Sequence, residues 1–297
     1  MNKIGRFLTI LWCCFLIFIA FFEYNSTLNT KRVSEYINTF SLPATSGYNY
    51  THLLNEDEKK VYIEALENLK QGKMLSKTSG LSKKSASRVA DSILADHPEF
   101  FWLSNKTGVS GVFQYLTFSA YPFWKYTTSP NGYTEIFRAK VDSVVAEIKT
   151  YNTDDEKIRF AHDKLVREIS YNHKAAAETS KKIISWFPKN EYQYAGTAYG
   201  ALVNSSAVCA GYAKAFQILL NKSGYDCGYI TGKTTGGLHA WNELYLNNTT
   251  YCFDVTWDDQ GDYHEYPYDL SYKYYAISRS KLAENHTADE LYLPATP

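Results

Sequence analysis

The chain is poor in the residues that interrupt or staple a fold. It has 8 prolines and 5 cysteines in 297 residues, and 2 methionines. Scarce proline and abundant Tyr (26) and Phe (16) exclude a disordered composition. No C-x-x-C pair occurs, so a structural zinc site is not expected. Neither sign of charge is in excess: 31 Lys+Arg balance 31 Asp+Glu. Without a basic excess there is no footprint for nucleic acid. Internal repeats and low-complexity tracts are absent as well. What remains is enough chain for one large domain, or for one domain with a helical appendage.

Long apolar runs are also lacking, with one exception. Lys3 and Arg6 precede Phe7 to Phe22, interrupted only by Thr9. Sixteen residues are long for a signal-peptide core and short of the about 20 that span a bilayer. Phe21, Phe22, Glu23 and Tyr24 offer no small-residue cleavage site. The expectation is an uncleaved signal anchor over 1–24, with the positive end cytoplasmic and the rest of the chain outside. A cleaved signal and a buried core helix are the alternatives. Residues 25–50 read as a linker with Pro43 and Gly47, 51–150 as a helical N-terminal region, and 151–297 as the chemical part.

Helices are expected at Asn55 to Lys70, Ser82 to Asp96, Ile136 to Lys149 and Thr153 to Ile169. Asn55 and Thr153 serve as caps, and Thr153 with Glu156 forms a capping box. Residues 104–132, with scattered glycine and proline, read as short strands and loops. A further helix from about Ala207 to Lys222 is capped by Ser205 or Ser206 and stopped by Gly224. Strands follow at Tyr225 to Thr231, His239 to Leu246 and Thr250 to Val255. Asn247-Asn248 marks a hairpin turn.

This arrangement places Cys209 in the first turn of a helix, where unpaired N–H groups and the positive end of the dipole favour a thiolate. Thirty residues on, His239 opens a strand; fifteen further on, Asp254 belongs to the next. The spacing lets helix start and strand meet, and lets Asp254 fix the imidazole tautomer. Cys227 and Cys252 fall on strands flanking that of His239, about 10 Å apart, which is too far for a disulfide. Tyr199, Asn204 and Trp186 are candidates for a second oxyanion donor beside the Cys209 backbone N–H. Trp241 and Trp257 are candidates for the cleft edge or the core. Asp258, Asp259 and Asp262 read as a solvated acidic turn, and His162, His173, His264 and His286 as structural or exposed.

Tyr199-Gly200-Ala201-Leu202-Val203, Val208-Cys209-Ala210-Gly211-Tyr212-Ala213, His239-Ala240-Trp241-Asn242 and Asp254-Val255-Thr256-Trp257-Asp258-Asp259 together resemble the transglutaminase-like superfamily, in its bacterial extracytoplasmic branch. The resemblance covers roughly residues 155 to 260. It implies an α+β fold with a papain-like core, the nucleophile helix packed on an antiparallel sheet. It also implies a triad of Cys209 as nucleophile, His239 as base and acid, and Asp254 as orienter. Neither cofactor nor metal is implied. A protein or peptide is the implied substrate, with cell-wall peptide suggested by an outside location. Ala210 and Asn204-Ser205-Ser206 stand where such bacterial sequences often carry an acidic residue and Glu-Gly-Lys-like residues, which bears on substrate preference. The competing expectation is a catalytically silent binding domain on the cell surface.

Overall fold

The computed structural model describes residues 40–43, 47–110, 114–121, 130–180, 190–259 and 270–289. In chain order these form α1 (Tyr48–His52), α2 (Glu56–Lys70), β1 (Leu75–Lys77), α3 (Lys83–Asp96), β2 (Leu103–Ser110), β3 (Tyr115–Ala120), α4 (Pro130–Ile148), α5 (Asp154–Glu168), β4 (Ser170–Tyr171) and α6 (His173–Ser180). Then come α7 (Asn190–Ala195), α8 (Ala198–Leu202), β5 (Ser206–Ala207), α9 (Cys209–Lys222), β6 (Asp226–Thr234), β7 (Gly237–Leu246), β8 (Thr249–Phe253), α10 (Val255–Asp258), α11 (Arg279–Leu282) and β9 (His286–Ala288). The class is α+β. Among the described residues no helix is long and apolar enough to cross a membrane. The apolar run at 7–22 lies outside the described residues, as do Trp186, Asp262 and His264.

Local chemistry sets most boundaries. The Asn55 side chain accepts from the Asp57 and Glu58 N–H groups, and Glu58 reaches back to the Asn55 N–H. Thr153 and Glu156 repeat this box at the start of α5. Each such cap contributes about 1 kcal/mol. Asn247 and Asn248 take positive φ of 51° and 62°, as a tight hairpin of this kind requires. Gly224, at φ 98°, ends α9.

The central sheet is antiparallel in the order β8-β7-β6-β9. Helix α9 is buried on every side from Gly211 to Leu220, the mark of a core helix rather than a surface one. It packs on one face of the sheet. Ala240 shares a cluster with Ala213, the Asn242 side chain donates to the Ala213 carbonyl at 2.9 Å, and Leu244 joins the main core. By alternation His239, Trp241 and Glu243 face the other way. That second face is closed by α1, α11 and the segment around Trp257 and His286. There the Tyr48 hydroxyl donates to Glu243 Oε2 at 2.9 Å, and Arg279 meets both Glu243 oxygens at 2.7 and 2.9 Å.

The N-terminal region adds a three-stranded sheet, β1-β3-β2, to its helices. Its apolar side chains and those of α9 form one continuous cluster, from Val61 and Phe101 through Phe137 to Phe216 and Val255. Residues 40–43 and 47–50, expected as linker, are packed too. Phe40, Leu42 and Tyr48 are buried, and the Asn49 and Tyr50 N–H groups donate to the Asp96 carboxylate. A Cβ on Gly47 would come 2.3 Å from that carboxylate, so the entry to α1 has no room for a side chain.

Candidate active site

Cys209 opens α9. The Ser205 or Ser206 cap expected from the sequence is not formed. Val208 holds the cap position without a side-chain bond, and Ser206–Ala207 instead pairs in parallel with Ser170–Tyr171. A strand pairing competes better than a hydroxyl cap here because it fixes two backbone groups at once. Gly211 lets the first turn approach closely: a Cβ there would meet the Ala195 carbonyl at 2.4 Å. The thiol is half-buried. Its backbone N–H, at the first helical position, has no partner within the helix.

His239 is 9% exposed. Its Nε2 is 2.7 Å from Asp254 Oδ2, and the Cys209 thiol lies near enough to its ring to favour the charged form. With Nε2 taken, Nδ1 is the nitrogen left for the thiol. Burial works against the imidazolium, but the Asp254 charge, its hydrogen bond and the contact with Cys209 outweigh it and lift His239 to about 10. Asp254 is 1% exposed. It does not end a strand, as expected, but caps the short helix α10, its Oδ1 accepting the Trp257 N–H at 3.1 Å. Burial alone would raise its carboxyl; the facing His239 and His286 overcome this and hold it below the ordinary range. The register pairs Asn242 with Phe253, which brings Asp254 to the His239 face of the sheet. This is the face opposite α9, not the helix-covered face.

Of the other expected residues, Trp241 and Trp257 pack around the imidazole, whereas Tyr199 lies in the aromatic core and Asn204 on an exposed turn. Tyr199 is 5% exposed and fills an aromatic cluster with Phe101, Tyr133, Phe137 and Tyr194, where burial is worth more than a rim position. Asn204 is exposed on the turn after α8 and makes no side-chain hydrogen bond among the described residues. Trp241 is 2% exposed in the second-face core, its Nε1 without a hydrogen-bond partner. It lies behind His239, ring centroids 6.3 Å apart. Cys227 and Cys252 are free and buried on β6 and β8, flanking β7 as expected. Burial pushes both thiols up, Cys252 to about 12.

Two residues near the site were not expected there: His286, read from the sequence as structural or exposed, and Tyr171. His286 is 4% exposed, with Nε2 3.1 Å from Asp254 Oδ2. Tyr171 pairs with Ala207, two residues before Cys209, and packs on the cluster containing Val208. Burial, then the charges of Cys209 and Asp254, push its phenol up to about 12. A third reading is corrected. Asp258 is not a solvated turn residue: it is 0% exposed and accepts from His162, Ser271 and the Tyr274 N–H.

His239, Asp254 and His286 place one ligand atom each within 4.8 Å of one another. Zinc at its usual bond lengths spaces tetrahedral ligands about 3.3 Å apart. The 2.7 Å contact between His239 and Asp254 is that of a hydrogen bond, so a cation would have to open it.

A nucleophile helix on an antiparallel sheet, with thiol, imidazole and carboxylate in file, defines the papain-like class of folds. Residues 142–255 match the model of the transglutaminase-like superfamily. Two solved structures are similar. One, described as a TGase, shares 14% identity at a TM-score of 0.37, over 65% of this chain and 52% of the other. The second, a candidate cysteine protease from Cytophaga hutchinsonii, shares 12% identity at a TM-score of 0.31, over 52% of this chain and 62% of the other. The chain thus spans about half the length of the first and less than two thirds of the second. No curated protein matches the chain.

Proposed function

We propose that this protein is a cysteine enzyme acting on amide bonds of proteins or peptides through an acyl-enzyme on Cys209. The observation that carries this reading is His239, whose Nε2 is held at 2.7 Å by the buried Asp254 while the Cys209 thiol lies close enough to help keep the ring charged. The thiolate attacks the amide carbonyl, and the oxyanion forms against the Cys209 N–H. The Tyr171 phenol is our candidate for the second donor. His239 gives its Nδ1 proton to the leaving amine as the C–N bond breaks, leaving a thioester. Water or a primary amine then loses a proton to Nδ1 and attacks the thioester, restoring thiolate and imidazolium. With water the outcome is hydrolysis; with an amine it is acyl transfer. We place the enzyme at the cell surface, held by residues 7–22, on the strength of that apolar run behind Lys3 and Arg6. Cell-wall peptide is a substrate class such a location offers.

The test offers the purified protein a peptide library, with and without an added primary amine, and reads product masses. Cleaved peptides or amine adducts that vanish in Cys209→Ala support the reading. Binding of peptides without either product, in a protein whose Cys209 is free, would favour a silent binding domain instead.

A further inference from the structure

One buried histidine has no part in the reaction just described. His286 lies on β9, which pairs antiparallel with the edge of β6, Thr234 opposite His286 and Gly232 opposite Ala288. It falls 32 residues beyond Asp254 and outside the matched residues 142–255. Its ring is fixed from several sides. Nε2 faces Asp254 Oδ2 at 3.1 Å, and Nδ1 faces Asn285 Oδ1 at 2.5 Å. Asn285 is itself oriented, its amide nitrogen donating to the Tyr274 hydroxyl at 2.9 Å. Trp257 and Trp241 enclose the imidazole, with centroids at 4.5 and 5.0 Å.

We propose that His286 is a positioning residue for the Cys209 reaction, holding Asp254 in the orientation that fixes His239. The carboxylate is fully buried among aromatic rings, a place that disfavours a charge without donors. Oδ1 has one donor, the Trp257 N–H. Oδ2 is shared by two imidazoles, His239 at 2.7 Å and His286 at 3.1 Å. With a donor on either side of Oδ2, the carboxylate plane is set before substrate arrives. Loss of the His286 donor frees the carboxylate to rotate toward Trp257, and His239 loses its fixed tautomer with it. Groups that orient metal ligands from behind change activity by about 10- to 100-fold when removed, and a group orienting Asp254 should act on the same scale. The site is then a file of four, Cys209, His239, Asp254 and His286, with the last supplied by the sheet edge.

The inference rests on the proposed amide chemistry, so its test includes a readout that needs no substrate. In the full chain, His286→Phe keeps a ring but no donor, and His286→Gln keeps a donor for Asp254. Expected is a kcat loss of about 10- to 100-fold in His286→Phe with KM unchanged, and recovery of most of it in His286→Gln. Carbamidomethylation of Cys209 by iodoacetamide should slow in the same order. Wild-type kcat and alkylation in His286→Phe would overturn the proposal, as would equal damage from Phe and Gln. If the unmodified protein shows no Cys209-dependent turnover on any peptide, the amide reading fails alone. The alkylation series then still decides the role of His286.

Discussion

Asp254 and Asp258, both buried, each hold a buried histidine, and both come from the same stretch of chain. Asp254 and Asp258 stand four residues apart across α10. Asp254 meets His239 at 2.7 Å, and Asp258 meets His162 at 3.2 Å. In both pairs the carboxylates outweigh burial and keep the imidazole above its ordinary range. The difference lies on the far side of each ring. His162 turns its other nitrogen to Asp163 at 3.0 Å and is 0% exposed. Among the described residues the His239 ring has its one hydrogen bond to Asp254, with the half-buried Cys209 thiol nearby. A histidine gripped by carboxylates on both sides is a joint: it ties α5 to α10 and, through Asp258, to the Tyr274 segment. A histidine held on one side only keeps a nitrogen for chemistry.

The sharpest way to break this comparison is to remove the thiol. Cys209→Ala should lower kcat by more than about 10⁴ while leaving thermal unfolding unchanged; turnover that survived would mean the thiol is not the nucleophile. Asp258→Ala should act on the fold instead. It strips partners from His162, Ser271 and the Tyr274 N–H at a fully buried site, and should cost about 3–5 kcal/mol in a denaturant titration. An unchanged midpoint would contradict the joint. Asp254→Asn keeps the shape but removes the charge behind the imidazolium, so kcat should fall by about 10- to 10³-fold. If Asp254→Asn proved silent and Asp258→Asn abolished turnover without unfolding, the two pairs would have to exchange roles.

The smallest effect is in the pH profile. With His239 held at about 10, its imidazolium, the acid for the leaving amine, persists until the pH nears that value. The alkaline limb of kcat/KM should therefore fall near pH 10 and move down in Asp254→Asn, while His162→Gln leaves it in place. The same raised position makes a contribution to stability. It is fully present below the unfolded value of about 6.5 and is lost as pH rises through about 10. A limb near 6.5 in the unmodified protein would show that Asp254 does not support the charge.

Which parts were legible in the sequence follows from the range of each interaction. Cys209, His239 and Asp254 could be read because a helix start, a strand and a hairpin fix their places through local spacing. The Asn55 and Thr153 caps and the Asn247-Asn248 turn are equally local. His286 could not be read: its place depends on β9 joining the edge of β6, and no local pattern specifies that partner. Tyr171 reaches Cys209 by a parallel pairing of two residues, too short to leave a signal. The acidic run at Asp258 looked solvated because charge alone does not reveal that His162, 96 residues earlier, would fold onto it. Tyr199 stands near the nucleophile in sequence, yet the aromatic core claimed it.

The continuous cluster running from Val61 to Val255 has a bearing on how this protein comes apart. The Gln217 side chain on α9 donates to the Ala95 carbonyl at the end of α3, and Phe101 and Phe137 stack on Tyr199 just ahead of the thiol. A cut at residue 150 would uncover those rings on both pieces and leave the nucleophile helix without one of its walls. Calorimetry should record one cooperative melting event across residues 47–289, with no separate one for the thiol-bearing half. Whatever loosens α3 would then be felt at the thiol, although none of its side chains takes part in the chemistry.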